Sequence, residues 1–246
     1  MNSSLILGGT KGLGRALAAK SLQRGFPTTV VGRSTADAAK EADLAAASLR
    51  QADLSDPTAF RDVLREGDRF THVFLVAGNF LRRPLVETSY DTHLQMANLH
   101  LLAPIELLKA FHRSRLAAKP LAATPGQPYH LVVISSTSSY RIRENEEMYC
   151  ALQAAKAHFT RNWAGRMTRD LPGSKVTLVL PGGMKTGLFD GTGQDTSGYM
   201  DPLTVADIIW DRVLQQQERF RTIVMERRGS EPDVSDHAPA PHDPLP

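Results

Sequence analysis

The 246-residue sequence contains one cysteine, and no apolar run approaches the roughly 20 residues that a membrane-spanning helix needs. Cys150 has no partner within the chain, which excludes an intrachain disulfide and favours a reducing, cytoplasmic location. The N-terminal stretch MNSSLILGGTKGLG has neither a basic leader nor a cleavable apolar segment. We therefore expect no membrane insertion and no secretory signal.

Basic clusters with interleaved aromatic residues are also absent, so we expect no nucleic-acid binding, and no metal site is expected either. The last 18 residues hold five prolines, four acids and no Lys or Arg, so the net charge of +3 leaves +7 on residues 1–228. A mildly basic body suits an anionic small ligand, although scattered solvated cations explain the charge equally well. The tail has little apolar surface to offset its ordering entropy. We expect residues 1–228 to form one domain and residues 229–246 to be disordered.

Short apolar runs alternate with helical patterns along the chain. The runs SSLILGG, TTVVGR, THVFLVAG, YHLVVISS and KVTLVLPGG predict strands, SLRQADL predicts a weaker one, and RTIVME is a candidate edge strand. Helical spacing appears in KGLGRALAAKSLQRG, DPTAFRDVLREG, residues 91–115, residues 146–169 and DPLTVADIIWDRVLQQQ. Near-continuous apolar strands between helices are typical of parallel strands buried on both faces. The sequence therefore predicts a single-domain α/β fold with a Rossmann-type, doubly wound parallel sheet of six to seven strands and helices on both faces.

Gly8, Gly12 and Gly14 lie between the first predicted strand and the first predicted helix, with the spacing G-x-x-x-G-x-G. Glycine lets the chain turn sharply and bring its backbone close to a pyrophosphate, and the unpaired amides of the helix N-terminus favour an anion. The strand before the motif and the helix after it favour nucleotide binding over a plain structural turn.

The second predicted strand ends at Arg33, with no Asp or Glu there to bind ribose hydroxyls. A guanidinium at this point would pair with a 2′-phosphate, and Lys11 in the glycine turn would add a second cation. Together these residues favour NADP(H) over NAD(H), although each alone is also compatible with an ordinary surface position.

Several further segments resemble the short-chain dehydrogenase/reductase superfamily, in its short single-domain branch, over about residues 3–226. ADLSD resembles the segment in which an Asp lies against adenine, and VAGN resembles the Asn-Asn-Ala-Gly stretch, with Val76 replacing its last Asn. LPGGMKTGL resembles the Pro-Gly-x-x-x-Thr loop that orients the nicotinamide carboxamide. The resemblance implies dinucleotide contacts from Gly8, Thr10, Lys11, Gly12, Leu13, Gly14, Arg33, Asp53, Leu54, Ala77, Gly78, Pro181, Gly182 and Thr186.

The same resemblance implies four candidate catalytic residues. Ser136 precedes Tyr149 with the spacing of the family's catalytic pair, in which Tyr exchanges a proton with the substrate oxygen and Ser hydrogen-bonds that oxygen. Asn98 occupies the position of a helix-interrupting Asn that holds a water for proton relay. The family's Lys, four residues after the Tyr, holds the nicotinamide ribose and lowers the pKa of the Tyr. Gln153 stands there instead, and it offers an amide but no charge.

Lys156 is on a similar face of the predicted helix as Tyr149 and Gln153, but about 4.5 Å further along the axis than Gln153. Its long side chain is able to reach back, although a solvent-facing or interface lysine is the stronger expectation. A Tyr without a nearby charge keeps a pKa near 10 and is protonated at neutral pH. The replacement therefore favours carbonyl reduction over alcohol oxidation.

Two functions remain open from the sequence. Ser136, Tyr149 and Asn98 favour an NADP(H)-dependent oxidoreductase that reduces a carbonyl to an alcohol with Tyr149 as proton donor. Gln153 and Val76 favour a catalytically impaired family member that binds the dinucleotide as a partner subunit or sensor.

The surroundings of the site are expected by resemblance. The substrate would be a small-molecule carbonyl or alcohol, and the chain would form a homodimer or homotetramer through its two long helices. The glycine-rich segment 191–198 is interpreted as a mobile loop over the ligand site, with an inert surface loop as the alternative. The candidate pocket residues are Phe80, Arg141, Met184, Phe189 and Tyr199.

Overall fold

The computed structural model describes residues 2–56, 58, 63–64, 70–117 and 127–237. Within these residues, eight strands form one sheet in the order β3-β2-β1-β4-β5-β6-β7-β8. The strands are β1 (Ser4–Leu7), β2 (Thr28–Gly32), β3 (Ser48–Gln51), β4 (His72–Leu75), β5 (His130–Ile134), β6 (Lys175–Pro181), β7 (Phe220–Arg228) and β8 (Glu231–His237).

All neighbouring strands are parallel except β7 and β8, which are antiparallel. The predicted doubly wound α/β sheet is confirmed, with one strand more than the upper end of the expected range. The helices of the described part are α1 (Gly12–Gln23), α2 (Thr35–Ala38), α3 (Tyr90–Ala97), α4 (Ala103–Ala117), α5 (Glu147–Asp170) and α6 (Pro202–Gln215).

Side chains of one strand alternate between two separate hydrophobic cores. Leu5 and Leu7 pack into a core that includes α4 and α5, whereas Ile6 between them packs against α1 and α6. Because both faces are covered, the strands have no polar face, and their sequences read as continuous apolar runs. The sheet is therefore the middle layer of a three-layer molecule.

The long helix predicted over residues 91–115 is divided by a π-helical turn at Asn98–Leu102, between α3 and α4. Pro104 has no N–H to donate to the carbonyl four residues earlier, which disfavours a regular α-helix at this point. The helix predicted over residues 146–169 agrees with α5 within one residue. Asp201 caps α6 by accepting a hydrogen bond from the Thr204 amide at 2.8 Å, as its Asp-Pro start indicates.

The expected disorder from residue 229 is wrong for residues 231–237, which form β8 along the edge of β7. Gly229 has a φ of +66°, so the chain reverses through a tight turn that glycine accommodates. Val234 packs on the α1–α6 core, and Arg212 holds Asp236 at 2.7 Å. Acids and a proline are compatible with an edge strand, where half of the backbone groups need no partner. Residues 238–246 lie outside the described residues.

The order of strands reverses between β1 and β4, so the loops after these two strands diverge and leave a crevice at the carboxyl edge of the sheet. The predicted strand RTIVME is β7, which lies inside the sheet because β8 covers it. Most of the predicted helix DPTAFRDVLREG lies outside the described residues. None of the described helices combines the length and apolarity that a membrane span requires.

Candidate active site

The turn after β1 brings the backbone of three segments into close contact. Gly8 has a φ of +90°, and a Cβ built on it would lie 2.5 Å from the Ala77 amide nitrogen after β4. A Cβ built on Gly14 would lie 2.0 Å from the Gly8 carbonyl oxygen. Glycine is therefore needed at both positions, once for the approach of β4 and once for the start of α1.

The N-terminus of α1 opens toward the loop after β6. Lys11 occupies the N-cap position, and its side chain makes no hydrogen bond to the helix. The first backbone amides of α1 therefore remain available to bind an anion. A Cβ built on Gly12 would lie 3.3 Å from Cβ of Thr186. Pro181 ends β6, and the Gly182 amide donates to the Met225 carbonyl at 2.8 Å. The predicted contacts of the glycine turn and of the β6 loop thus line one crevice.

The other end of this crevice lies at β2 and β3. Arg33 and Lys11 are exposed, and Thr10 lies against Gly32, whose built Cβ would be 2.8 Å from the Thr10 side chain. Asp53 is exposed, with its carboxylate accepting from the Ser55 amide and hydroxyl at 2.9 and 2.7 Å. These two bonds, and more weakly the charge of Arg33, lower the pKa of Asp53. The side chains of Leu13 and Leu54 are buried in the cores, which leaves their backbones as the groups available to a ligand.

Tyr149 and Ser136 come together where β5 and α5 meet at the carboxyl edge. Ser136 follows β5, and its hydroxyl oxygen accepts a hydrogen bond from the Ser138 amide at 3.1 Å, which caps a 3₁₀ turn at Thr137–Ser139. Because the amide occupies an acceptor site of that oxygen, the Ser136 hydroxyl proton is left to donate. Tyr149 lies in the first turn of α5 and is 8% exposed.

Burial raises the pKa of Tyr149 to about 12. The Ser136 and Gln153 side chains act in the opposite direction, while the charge of Glu146 adds to the rise. Tyr149 is therefore protonated at neutral pH and is suited to donate a proton rather than to accept one.

Gln153 is buried, and its amide is turned into the protein. Its carbonyl oxygen accepts from the Ser135 hydroxyl at 3.0 Å, and its amide nitrogen lies 3.2 Å from Nδ1 of His100. The Ser135 hydroxyl also lies 2.9 Å from the backbone carbonyl of Gln153. These contacts fix the orientation of the Gln153 amide beside Tyr149.

Asn98 is half-buried and begins the π-helical turn, and its carbonyl accepts from the backbone amide that follows this turn. The turn carries His100 into the interior, where Nε2 lies 2.9 Å from the Asn79 carbonyl and 2.8 Å from its side-chain oxygen. A Cβ built on Gly78 would lie 2.9 Å from the His100 ring. The ring of His100 therefore packs against Gly78 and Asn79, directly after the Ala77 position.

Lys156 is buried, with 6% of its surface exposed, so the expectation of a solvent-facing or interface lysine is wrong. Its ammonium nitrogen lies 3.4 Å from Nδ1 of His100 and 3.4 Å from the carbonyl oxygen of Ile134. The side chain also borders a small apolar cavity lined by Leu54, Ala77 and Leu99, among others. Burial lowers the pKa of Lys156 to about 8.

Aromatic rings form a continuous row from Tyr149 to the loop after β6. Phe80 meets Tyr149 at 5.0 Å and Phe189 at 5.1 Å between ring centroids, and Phe189 meets Tyr199 at 5.1 Å. Phe80, Phe189 and Tyr199 are thus brought together as predicted pocket residues. Segment 191–198 leads into this row, with Gln194 accepting from the Tyr199 hydroxyl at 2.8 Å.

The two remaining pocket candidates are placed differently. Arg141 donates to Glu226 at 2.5 Å, and the Tyr140 hydroxyl donates to the same carboxylate oxygen at 2.9 Å. The charge of Arg141 is therefore paired with Glu226 of β7. Met184 packs into the α1–α6 core, so it supports the loop after β6 from behind.

The sequence does not indicate that His100, Ser135 and Lys156 form a buried polar group, or that the exposed residue Asn79 contacts His100 from its rim. Two signals were available: Asn79 directly follows the Ala-Gly pair, and His100 is two residues after Asn98. Neither signal indicates that the two side chains meet, because that contact depends on the π-helical turn.

The comparison with protein families is consistent with this geometry. The profile of the family described as short chain dehydrogenase matches residues 2–197. The chain belongs to the short-chain dehydrogenase family. Among curated relatives of this short-chain dehydrogenase, 1-deoxy-11-beta-hydroxypentalenate dehydrogenase of Streptomyces arenae is 24% identical over 228 residues, covering 85% of this chain and 78% of the relative. An uncharacterized oxidoreductase of Staphylococcus epidermidis is 23% identical over 213 residues, covering 84% of this chain and 88% of the relative.

Solved structures show the same fold for this short-chain dehydrogenase. An alcohol dehydrogenase from the archaeon Thermococcus sibiricus, complexed with 5-hydroxy-NADP, has a TM-score of 0.77 at 20% identity, covering 95% of this chain and 99% of that chain. A 4-hydroxyisoleucine dehydrogenase complexed with NADH has a TM-score of 0.76 at 18% identity, covering 92% and 98%. A short-chain dehydrogenase from Sphingobium yanoikuyae in complex with NADPH has a TM-score of 0.75 at 21% identity, covering 90% and 87%.

Proposed function

We propose that this short-chain dehydrogenase is an NADP(H)-dependent reductase that converts a small-molecule carbonyl into an alcohol, with Tyr149 as the proton donor. The observation that supports it most is the hydrogen-bonding contact of the Ser136 side chain with Tyr149, at the same edge of the sheet as the glycine turn. The alternation of strands and helices brings these groups together from segments that are distant in sequence.

The residues of the crevice fit a nicotinamide dinucleotide. Ala77 and the Gly8 carbonyl fill the space that a Cβ on Gly8 or Gly14 would need, so only glycine permits the tight turn that would hold a pyrophosphate at the start of α1. The uncapped amides of α1 face the same crevice as Thr186. The glycine turn and α1 would hold the pyrophosphate, and Gly182 and Thr186 would hold the nicotinamide end.

Bound NADPH would supply the hydride for the carbonyl carbon. The chain's own contribution is made at the carbonyl oxygen, where the Tyr149 phenol donates its proton and the Ser136 hydroxyl donates a hydrogen bond. The Ser138 amide holds the Ser136 oxygen in place, and Gln153 holds an amide beside the phenol. Phe80 packs on the ring of Tyr149, and Phe189 packs on Phe80, so apolar rings would limit the access of water to this side of the phenol.

The protonation state of Tyr149 supports the direction of reduction. Alcohol oxidation needs the phenolate as base, and a pKa of about 12 makes this form rare at neutral pH. Carbonyl reduction uses the phenol, which is the dominant form.

Arg33 and Lys11 support the preference for NADP(H). Both cations are exposed, Arg33 directly after β2 and Lys11 at the N-cap of α1, and β2 ends without an acidic residue. Arg33 would form a charge-assisted, bidentate contact with the 2′-phosphate.

A second candidate function is a family member that binds the dinucleotide but is catalytically impaired and acts as a partner subunit or sensor. The observation that favours it is the inward orientation of the Gln153 amide, which is bound to Ser135 and faces His100. In such a protein the crevice would still bind NADPH, while Tyr149 would remain inert.

Stopped-flow oxidation of bound NADPH by a panel of carbonyl compounds separates the two functions, with Tyr149→Phe as the matched control. We expect the wild-type protein to oxidise NADPH with at least one carbonyl compound. We expect the control to bind NADPH with similar affinity and to lose at least about a hundredfold in rate. NADPH binding without oxidation by any compound would instead support the impaired family member.

We also propose a homodimer or homotetramer that packs through the helices containing Asn98 and Tyr149. Leu94 and Leu102 expose apolar surface on the first of these, with 42% and 46% of their area accessible. The single cysteine supports a cytoplasmic location.

A further inference from the structure

Lys156 lies at the centre of a polar group that is buried directly behind Tyr149. His100 Nδ1 faces two nitrogen donors, the Gln153 amide at 3.2 Å and the Lys156 ammonium group at 3.4 Å. Nε2 of His100 lies 2.9 and 2.8 Å from the two oxygens of Asn79 and 3.3 Å from the Asn79 amide nitrogen, which points its N–H at the ring. The two shorter contacts are to acceptors, and with two donors at Nδ1 they favour the tautomer that has its proton on Nε2. Burial and the charge of Lys156 lower the pKa of His100 to about 3, so the ring remains neutral.

Burying the ammonium group of Lys156 costs free energy of folding. An ammonium group loses its hydration on burial, and apolar residues would fill the same position without that loss. Two long contacts, with His100 and with the Ile134 carbonyl, compensate only in part. A buried lysine of this kind is typical of functional sites, because its charge acts strongly where water is excluded.

Both contacts of Lys156 lead to groups of the active site. His100 connects the ammonium group to Gln153, the residue that stands where the family's lysine is expected, and its ring meets the Tyr149 ring edge to face at 5.7 Å. Ile134 ends β5, two residues before Ser136. Lys156 therefore contacts His100, which packs against Tyr149, and the end of β5, which leads to Ser136. It acts on the two catalytic side chains only through these groups.

We propose that the work of the family's single lysine is divided in this chain, so that Gln153 provides the contact beside Tyr149 and Lys156 provides the positive charge. Lys156 is thus a positioning residue that acts through His100. Its charge orients the imidazole and the Gln153 amide and favours negative charge as it develops on the Tyr149 oxygen. The inference rests on the proposed function, since it concerns the same proton transfer.

The proposed division of roles is tested by variants that remove the charge of residue 156 or place a lysine at residue 153 instead. Lys156→Met removes the charge with little change in volume, and Lys156→Gln keeps donors for His100 without charge. Lys156→Met combined with Gln153→Lys restores a lysine at the family's position. Lys109→Met, an exposed lysine of α4, is the control. The measurements are kcat and KM of carbonyl reduction between pH 6 and 9, NADPH affinity and thermal stability.

We expect Lys156→Met and Lys156→Gln to fold and bind NADPH within about twofold of the wild type, because an apolar or neutral residue removes the desolvation cost. At pH 7 the ammonium group is charged, and we expect kcat of both single variants to fall at least about tenfold there, with little change in KM. In the wild type kcat should fall further as the pH rises through about 8, where Lys156 loses its charge, and the single variants should lack this decrease. The double variant should recover most of kcat at pH 7.

Three results would overturn the division of roles. Activity of both single variants equal to the wild type would show that the charge of Lys156 is not used. A loss in the single variants that Gln153→Lys fails to repair would indicate a merely structural lysine. A wild-type protein inactive on every carbonyl compound would contradict the proposed function itself and the inference with it, and this result differs from the other two because no variant is needed to see it.

Discussion

The ring of Phe80 meets the ring of Tyr149 edge to face, with 5.0 Å between the centroids and 86° between the planes. Phe80 follows β4 and Tyr149 lies in the first turn of α5, so the contact joins the loop after β4 to the start of that helix. It removes water from the phenol and is part of the burial that raises the pKa of Tyr149 to about 12. By packing on Tyr149, Phe80 thus helps to keep the phenol protonated, which favours proton donation over proton abstraction.

Replacing Phe80 by Ala should lower the pKa of Tyr149 toward its ordinary value near 10, because water would reach the phenol. The group is the deprotonated base in alcohol oxidation, so its contribution rises as pH increases through the pKa. We expect the alkaline rise of oxidation by Phe80→Ala to begin at a pH about one unit lower than in the wild type. The measurement is kcat of alcohol oxidation from pH 7 to 10.5. Phe80→Leu keeps an apolar cover and should stay close to the wild type, and equal profiles for all three proteins would contradict the role of burial.

Arg33 should determine the choice of dinucleotide. Arg33→Ala removes the cation expected to pair with the 2′-phosphate, and we expect NADPH affinity to fall about 10- to 100-fold, as charge-assisted hydrogen bonds predict. NADH affinity should change by less than about threefold. Fluorescence titration with both dinucleotides measures the ratio. Arg24→Ala, a cation that pairs with Asp207 and Asp211 far from the crevice, is the control. A parallel loss of affinity for both dinucleotides would mean that Arg33 does not contact the 2′-phosphate.

The local parts of this site were predictable from the sequence, and the long-range parts were not. Gly8, Gly12 and Gly14 are fixed by a strand, a turn and a helix that follow one another directly, so their spacing carries the information. The pairing of Ser136 with Tyr149 was predicted from the spacing of the family's catalytic pair and not from local structure, since residues 135–146 separate β5 from α5. His100 meets Lys156 only because the π-helical turn changes the direction of the side chains after Asn98, and the pattern of apolar residues does not reveal this change.

The tail of the sequence shows the limit of composition as a guide. Prolines and acids correctly indicate little core surface, yet residues 231–237 pair with β7 through backbone groups, which composition does not describe. The side chains that stabilise the pairing are few, such as Asp233 with Arg228 at 3.0 Å and Asp236 with Arg212. An edge strand of this kind is determined by the neighbouring strand more than by its own sequence.

The close approach of Gly14 to Gly8 should be required for both folding and dinucleotide binding. A Cβ at Gly14 would lie 2.0 Å from a backbone oxygen that cannot move without displacing β1. We expect Gly14→Ala to lower the free energy of unfolding by at least about 1 kcal/mol and to weaken NADPH binding at least about tenfold. Urea unfolding and fluorescence titration measure the two effects. Gly198→Ala is the control, since its built Cβ has no described heavy atom outside its chain neighbours within 4 Å. Equal behaviour of the two variants would contradict the requirement.

Two stacked histidines on neighbouring strands should make the fold sensitive to acid. His72 of β4 and His130 of β5 are both 7% exposed, with ring centroids 5.9 Å apart. Burial lowers the pKa of His72 to about 4 and that of His130 to about 3. Well above pH 7 both imidazoles are neutral in the folded and in the unfolded chain, so they add no pH dependence to the free energy of unfolding there.

In the unfolded chain the two histidines have a pKa of about 6.5, so below this pH they bind protons that the buried histidines of the folded chain do not bind. The free energy of unfolding therefore falls as the pH decreases toward 4. Each histidine contributes up to about 1.4 kcal/mol per pH unit. His72→Phe keeps the ring between Phe26 and His130 and should reduce the slope between pH 6 and 4.5 by about one proton. Urea unfolding at half-unit steps of pH measures the slope. His158→Gln, at an exposed position of α5, should leave it unchanged, and a wild-type slope in His72→Phe would show that the buried histidine does not drive the acid sensitivity.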